Sequence, residues 1–129
     1  MDIKVNIAPG ELIDKMTILE IKLEQMTDKA KLDNVRNEYS VLKHTYQQCI
    51  SPSKDLLRLS SELKTVNEKL WIIEDDIRDC ERRKNFDQEF IELARSVYKN
   101  NDLRAKLKRE INMLLNSNIV EEKSYRKYD

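Results

Sequence analysis

The residues of this sequence that could do chemistry fall into three groups. In the first, Asn67 and Glu74 stand seven residues apart with Trp71 between them, two turns along one helical face, and Arg78 follows one turn later. Glu20 and Lys22 flank the apolar stripe of an earlier segment, and Arg36 flanks that of the next. Helices stacked antiparallel would bring these residues toward one end of a bundle. An aromatic wall with mixed charges can bind a polar ligand; the plainer reading is ordinary interhelical salt bridges around a packing tryptophan. The second group is Arg95, Tyr98, Asn101, Asp102, Arg104 and Lys108, within a stretch from Arg82 to Arg109 that holds nine basic and four acidic residues. Basic side chains beside a helix N-terminus make an anion site, because the unpaired N–H groups and the helix dipole favour negative charge there. The plainer reading is a charged surface paired against the acidic residues of the third helix. The third group is two carboxylate pairs, Glu11 with Asp14 and Asp76 with Asp79, at a spacing by which helical pyrophosphohydrolases hold Mg²⁺. One pair opens a helix and the other lies near the far end of another, about 20–30 Å away by rise per residue. They do not form one site, and no metal or cofactor is expected.

Other chemistries have less to rest on. His44 is the one histidine, falls on the outer face of its helix and has no partner within a turn. Neither a Gly-rich phosphate loop nor a Cys/His metal spacing is present. Cys49 and Cys80 occupy apolar stripe positions, where buried, reduced thiols are expected. In a hairpin they lie about 35 Å apart, far beyond the roughly 4.4–6.8 Å that a disulfide spans.

The elements that must position these groups are helices. Leu56, Leu59, Leu63, Val66, Leu70, Ile73, Ile77 and Cys80 recur at alternating steps of three and four, the rhythm of a helix lying along other helices. Pro9-Gly10 opens a first helix over residues 11–26, apolar on several faces and so central in its bundle or covered by a second subunit. A second helix covers residues 30–50. Ser51-Pro52 caps and starts the third, which reaches about residue 84. Short connections make these three a zigzag. The third helix outruns the second by about ten residues, roughly 15 Å, and its charged end must be covered by the C-terminal helices. Asn85 with Gln88 resembles a capping box for a fourth helix, Asn100-Asn101 interrupts it, and a fifth runs to about residue 115. Asn118 with Glu121 could start one more turn. Ile3, Val5 and Ile7 alternate with polar residues and read as a short strand in need of a partner.

Composition bounds the rest. At 129 residues the chain is read as one helical domain, 1–129. Lys plus Arg equal Asp plus Glu at 24 each, which gives no pull toward nucleic acid or an anionic membrane. No apolar run approaches the ~20 residues needed to span a bilayer, and no signal peptide is apparent at the start. A cytoplasmic protein is the expectation.

Several stretches resemble a small bacterial and phage family of unknown function. They are Pro9-Gly10-Glu11-Leu12 with Asp14-Lys15 and Ile18-Leu19-Glu20-Ile21-Lys22; Asn34-Val35-Arg36; Leu70-Trp71 with Glu74-Asp75 and Ile77-Arg78; Leu93-Ala94-Arg95-Ser96-Val97-Tyr98; Asn101-Asp102-Leu103-Arg104-Ala105; and Glu121-Glu122-Lys123-Ser124-Tyr125. Together they span nearly the whole chain. The resemblance implies an association with glycosyltransferases of surface-polysaccharide assembly, and so a protein partner in carbohydrate metabolism.

The expectation is an all-α antiparallel bundle of about five helices, a three-helix zigzag plus two shorter C-terminal helices, with a short N-terminal β-strand. Its expected role is that of a non-enzymatic interaction or accessory protein, homodimeric through the strand or the first helix. A small anionic or carbohydrate-related ligand would bind at Glu20, Arg36, Asn67, Trp71, Glu74, Arg78, Arg95, Tyr98, Asp102 and Arg104. The alternative is a small enzyme acting on a nucleotide or nucleotide-sugar, pyrophosphohydrolase-like or an accessory of a glycosyltransferase. Neither nucleic acid nor membrane is expected as a partner.

Overall fold

The computed structural model describes residues 1–129. It is an all-α bundle of four helices: α1 (Pro9–Gln25), α2 (Lys29–Cys49), α3 (Lys54–Arg83) and α4 (Gln88–Leu114). Local chemistry sets each boundary. Pro9 sits in the first turn of α1, where its missing N–H leaves no intrahelical bond unmade. Asp28 caps α2 by accepting from the Lys31 N–H at 2.9 Å, and Ser53 caps α3 by accepting from the Leu56 N–H at 3.1 Å. The α3 cap is thus Ser53 rather than Ser51, and Pro52 lies outside the helix. Lys84 ends α3 in the left-handed region at φ 57°, and the Asn85 N–H returns to the Cys80 carbonyl at 2.9 Å.

Four helices replace the expected five because Asn100-Asn101 does not interrupt α4. The Asn100 amide donates to the Ser96 carbonyl one turn back at 2.8 Å, and Asn101 Oδ1 accepts from Arg104 one turn ahead at 3.5 Å. Both side chains are satisfied without breaking the helix. The fourth helix starts at Gln88, capped by Asp87 rather than Asn85, and no turn of helix forms around Asn118. The N-terminal strand is also absent. Residues 1–8 precede α1 without a ladder partner, and Ile3 and Val5 are 79% and 71% exposed. Alternating β-branched residues favour extended backbone, but only pairing makes a strand.

The core lies between α3 and α4 with α1 laid across them. Ile13, Leu56, Leu59, Leu63, Val66, Leu107 and Ile111 form one buried cluster, edged by Tyr46, Ile50, Leu70 and Leu115. Each fully buried aliphatic side chain contributes about 1.5–3 kcal/mol relative to exposure. α3 and α4 form the most extensive pair, antiparallel across the turn at residues 84–87, and α1 packs against all three other helices. The apolar faces of α1 are therefore covered within the chain. α2 packs along α1 alone and not along α3, so the zigzag is incomplete. Only Val35 of α2 is fully buried. Cys80 is buried, whereas Cys49, expected to be buried, is exposed: the end of α2 turns Tyr46 and Ile50, not Cys49, toward the core; both thiols are free. No helix is long and apolar enough to cross a membrane.

Candidate functional site

A buried polar knot holds α1, α3 and α4 together. Asp14 lies in the otherwise apolar run Leu12, Ile13, Met16 of α1 and is 1% exposed. Arg104 of α4 grips it with Nε on Oδ1 at 2.9 Å and Nη2 on Oδ2 at 2.5 Å, and Asn67 of α3 donates to Oδ1 at 2.9 Å. Asn67 also donates to the Thr17 hydroxyl at 2.9 Å, and that hydroxyl donates to the Asp14 carbonyl at 2.8 Å. Burial alone would raise the Asp14 pKa. The hydrogen bonds from Arg104 and Asn67, with the charges of Arg104 and Lys108, outweigh it and hold the carboxyl below its ordinary value.

One turn toward the C-terminus of α4, Lys108 continues the knot toward the surface. Its ammonium reaches Glu11 at 2.7 Å, Asp14 at 3.9 Å and Glu121 of the C-terminal segment at 4.0 Å. Still further along, Asn112 Oδ1 accepts from the Gly10 N–H at 2.7 Å. Glycine is required at that crossing: a Cβ on Gly10 would stand 2.5 Å from the Lys108 carbonyl oxygen.

Two clefts open on either side of Arg104 and Asn101. The larger, about 750 Å³, lies between α4 and the C-terminal segment. Tyr98, Tyr125 and Tyr128 supply its aromatic surface and Arg104, Lys108, Lys123 and Arg126 its cations, with Glu11, Asp102 and Glu121 interspersed. Tyr128 packs edge-on against Tyr98, centroids 5.2 Å apart, and donates to Asp102 at 3.0 Å. The smaller cleft, about 480 Å³, is shallower and runs between α1, α3 and α4, with Trp71, Glu74 and Arg78 on its wall.

The residues expected from sequence divide between these places. Asn67, Trp71, Glu74, Arg78 and Arg104 border the smaller cleft, where Glu74 and Arg78 pair with each other. Tyr98, Asp102 and Arg104 line the larger one. Three others stand apart. Glu20 is half-buried and faces Lys64 and Lys43, its carboxyl pushed up by burial against the pull of Lys64. Arg36 is exposed and bound to Asp33 on its own helix at 3.2 Å, and Arg95 likewise to Glu92 at 3.2 Å. The carboxylates of Glu11 and Asp14 are held by Lys108 and Arg104, and no three His, Cys, Asp or Glu side chains converge as a metal would require. Asp14, Lys123, Tyr125, Arg126 and Tyr128 belong to the site but not to the expected set. Asp14 carried a signal, since a carboxylate inside a helix apolar on several faces must be buried and paired. Lys123 and Tyr125 stand within a family-like stretch, but an aperiodic segment does not show where it lies, and Arg126 and Tyr128 carried no signal.

Residues 3–128 match the family described as "Family of unknown function (DUF6165)", and the chain belongs to it. No curated protein and no solved structure matches the chain.

Proposed function

We propose that this member of the DUF6165 family is a non-enzymatic accessory protein that binds a small anionic, carbohydrate-related ligand in the tyrosine-lined cleft between α4 and the C-terminal segment. The observation that carries this reading is the lining itself: three tyrosines and four cations around about 750 Å³, within the range of small-molecule sites. Tyrosine faces suit the C–H faces of a sugar ring, and guanidinium and ammonium groups suit a phosphate or carboxylate attached to it. The carboxylates along the wall favour binding over catalysis, because Glu11, Asp102 and Glu121 are each already engaged by a neighbouring ammonium or hydroxyl. The association with glycosyltransferases implied by the sequence resemblance fits a ligand of this class and a protein partner in carbohydrate metabolism. The strand and α1, through which a homodimer was expected, offer it nothing, since no strand forms and α1 is covered within the chain; a homodimer would instead join along α2, which packs along α1 on one side only.

A thermal-shift panel of inorganic phosphate, glucose 1-phosphate, glucuronate and UDP-glucose, with and without Mg²⁺, tests it. A phosphorylated or acidic sugar at a hundred times its Kd should stabilise the fold by about 2.7 kcal/mol. Tyr98→Ala and Arg126→Ala should abolish that gain while leaving the unliganded melting temperature nearly unchanged. No shift with any compound would overturn the reading, and turnover of UDP-glucose would replace it with the small-enzyme alternative.

A further inference from the structure

The C-terminal wall of the cleft is held by side chains alone. No backbone–backbone hydrogen bond involves any residue after Ser117, and Ser117 itself makes the last short bridge, to Ile119. Beyond that point the attachments are Glu122 to Arg109 at 2.9 Å, Tyr128 to Asp102 at 3.0 Å, the Tyr98–Tyr128 ring contact and the approach of Glu121 to Lys108. Glu121, Glu122 and Tyr128 are all exposed. Exposed ion pairs are worth about 0–1 kcal/mol each, whereas fixing a residue's backbone costs about 1–2 kcal/mol. Such a segment lifts at small cost.

Three carboxylates share Lys108, and they are not equivalent. Glu11 and Asp14 are fixed on α1, at 2.7 and 3.9 Å; Glu121 is the most distant at 4.0 Å, is 53% exposed, and rides on the segment that lifts. Its other oxygen lies 2.5 Å from Lys123. Lys108 itself is only 16% exposed, so most of its surface is already committed to these partners. Glu121 touches both Lys108 and Lys123, so a phosphate or carboxylate that bridges the two lysines competes with it.

We infer that Glu121 is a built-in stand-in for the ligand's anionic group: it occupies the seat made by Lys108 and Lys123, and residues 118–129 are a strap that lifts to let the Glu121 side chain turn out and settles again, with Lys123, Tyr125 and Tyr128 on the ligand, when a phosphorylated or acidic sugar binds. The inference rests on the proposed binding role and specifies how that site is held when empty. Binding is then an exchange of one anion for another, which keeps both lysines paired in either state and lets a neutral sugar gain nothing at this seat.

Calorimetric titration of the full-length chain with glucose 1-phosphate, inorganic phosphate and glucose tests it, using wild type, Glu121→Gln and Glu122→Gln. Removing the internal competitor should tighten glucose 1-phosphate and phosphate about fivefold, the equivalent of one exposed ion pair, and should leave glucose unaffected. Glu122→Gln frees the strap without vacating the seat and should change affinity less than Glu121→Gln. Anion affinity equal in wild type and Glu121→Gln would overturn the stand-in while leaving the binding role intact. Failure of every variant to bind either anion would overturn both. Equal tightening in Glu121→Gln and Glu122→Gln would overturn the occupied seat, leaving the strap alone to limit binding.

Discussion

Asp14 is the residue on which three helices agree. Removing it by Asp14→Ala leaves Arg104 half-buried without its Asp14 counter-charge and Asn67 with only the Thr17 hydroxyl as acceptor, which costs about 3–5 kcal/mol for a buried pair broken on one side; urea unfolding would measure it. The pH dependence follows from the direction of its shift. The folded-state pKa lies below the unfolded value, so the ionised form stabilises the fold fully above about pH 4 and progressively less as pH falls toward the lowered folded value. Stability should therefore fall more steeply in acid for wild type than for Asp14→Asn; parallel curves would show that the carboxylate is not the linked group. In the sequence this residue stands out as half of a possible metal pair. Its spacing to Glu11 does place both carboxylates on one side of α1, but the cations that claim them come from α4, some ninety residues away, where pair spacing carries no information.

At the scale of elements, the helices were legible wherever the apolar rhythm held, and expectation and structure part where polar side chains imitate a boundary. Asn100-Asn101 looks like a stop, yet Leu93, Val97, Asn100, Arg104, Leu107 and Ile111 stay in phase across it, and the register outweighs the residue type. Ile3, Val5 and Ile7 misled in the opposite way, by showing a strand's alternation without a ladder to join. The α1–α4 crossing can be tested through its glycine. Gly10→Ala should gain about 1 kcal/mol in helix propensity, but its Cβ would meet a backbone oxygen at 2.5 Å that can retreat only if α4 moves. Overpacking of this kind costs about 1–3 kcal/mol. The net outcome expected in urea unfolding is destabilisation, and a variant as stable as wild type would mean that the two helices can part without loss.

For the whole molecule, the exposed surface is 9512 Å², roughly a third more than the about 7,200 Å² of a compact monomer of this mass. The extended ends and the one-sided cover of α2 both contribute to it. Val35 is buried there, while Leu32, Tyr39, Leu42 and Tyr46 remain half-buried along the same stripe. The homodimer reading then makes a definite prediction: sedimentation at high concentration should show a species of twice the chain mass, and Leu42→Lys should weaken it. A monomer at every concentration would remove the dimer. Chain-wide placement was the least legible level, because the aperiodic tail and the splay of α2 depend on side chains far apart in sequence. That same tail separates two tasks. Leu56, Leu63 and Ile111 specify the fold, while the outer wall of the cleft is written in residues 118–129, exposed apart from half-buried Val120 and free of backbone pairing. Exposed substitutions of this kind usually shift stability by no more than about 0.5 kcal/mol. The wall can therefore be rewritten by mutation without endangering the helices behind it, which would leave the preference of the proposed ligand site free to diverge among descendants while the architecture is inherited intact.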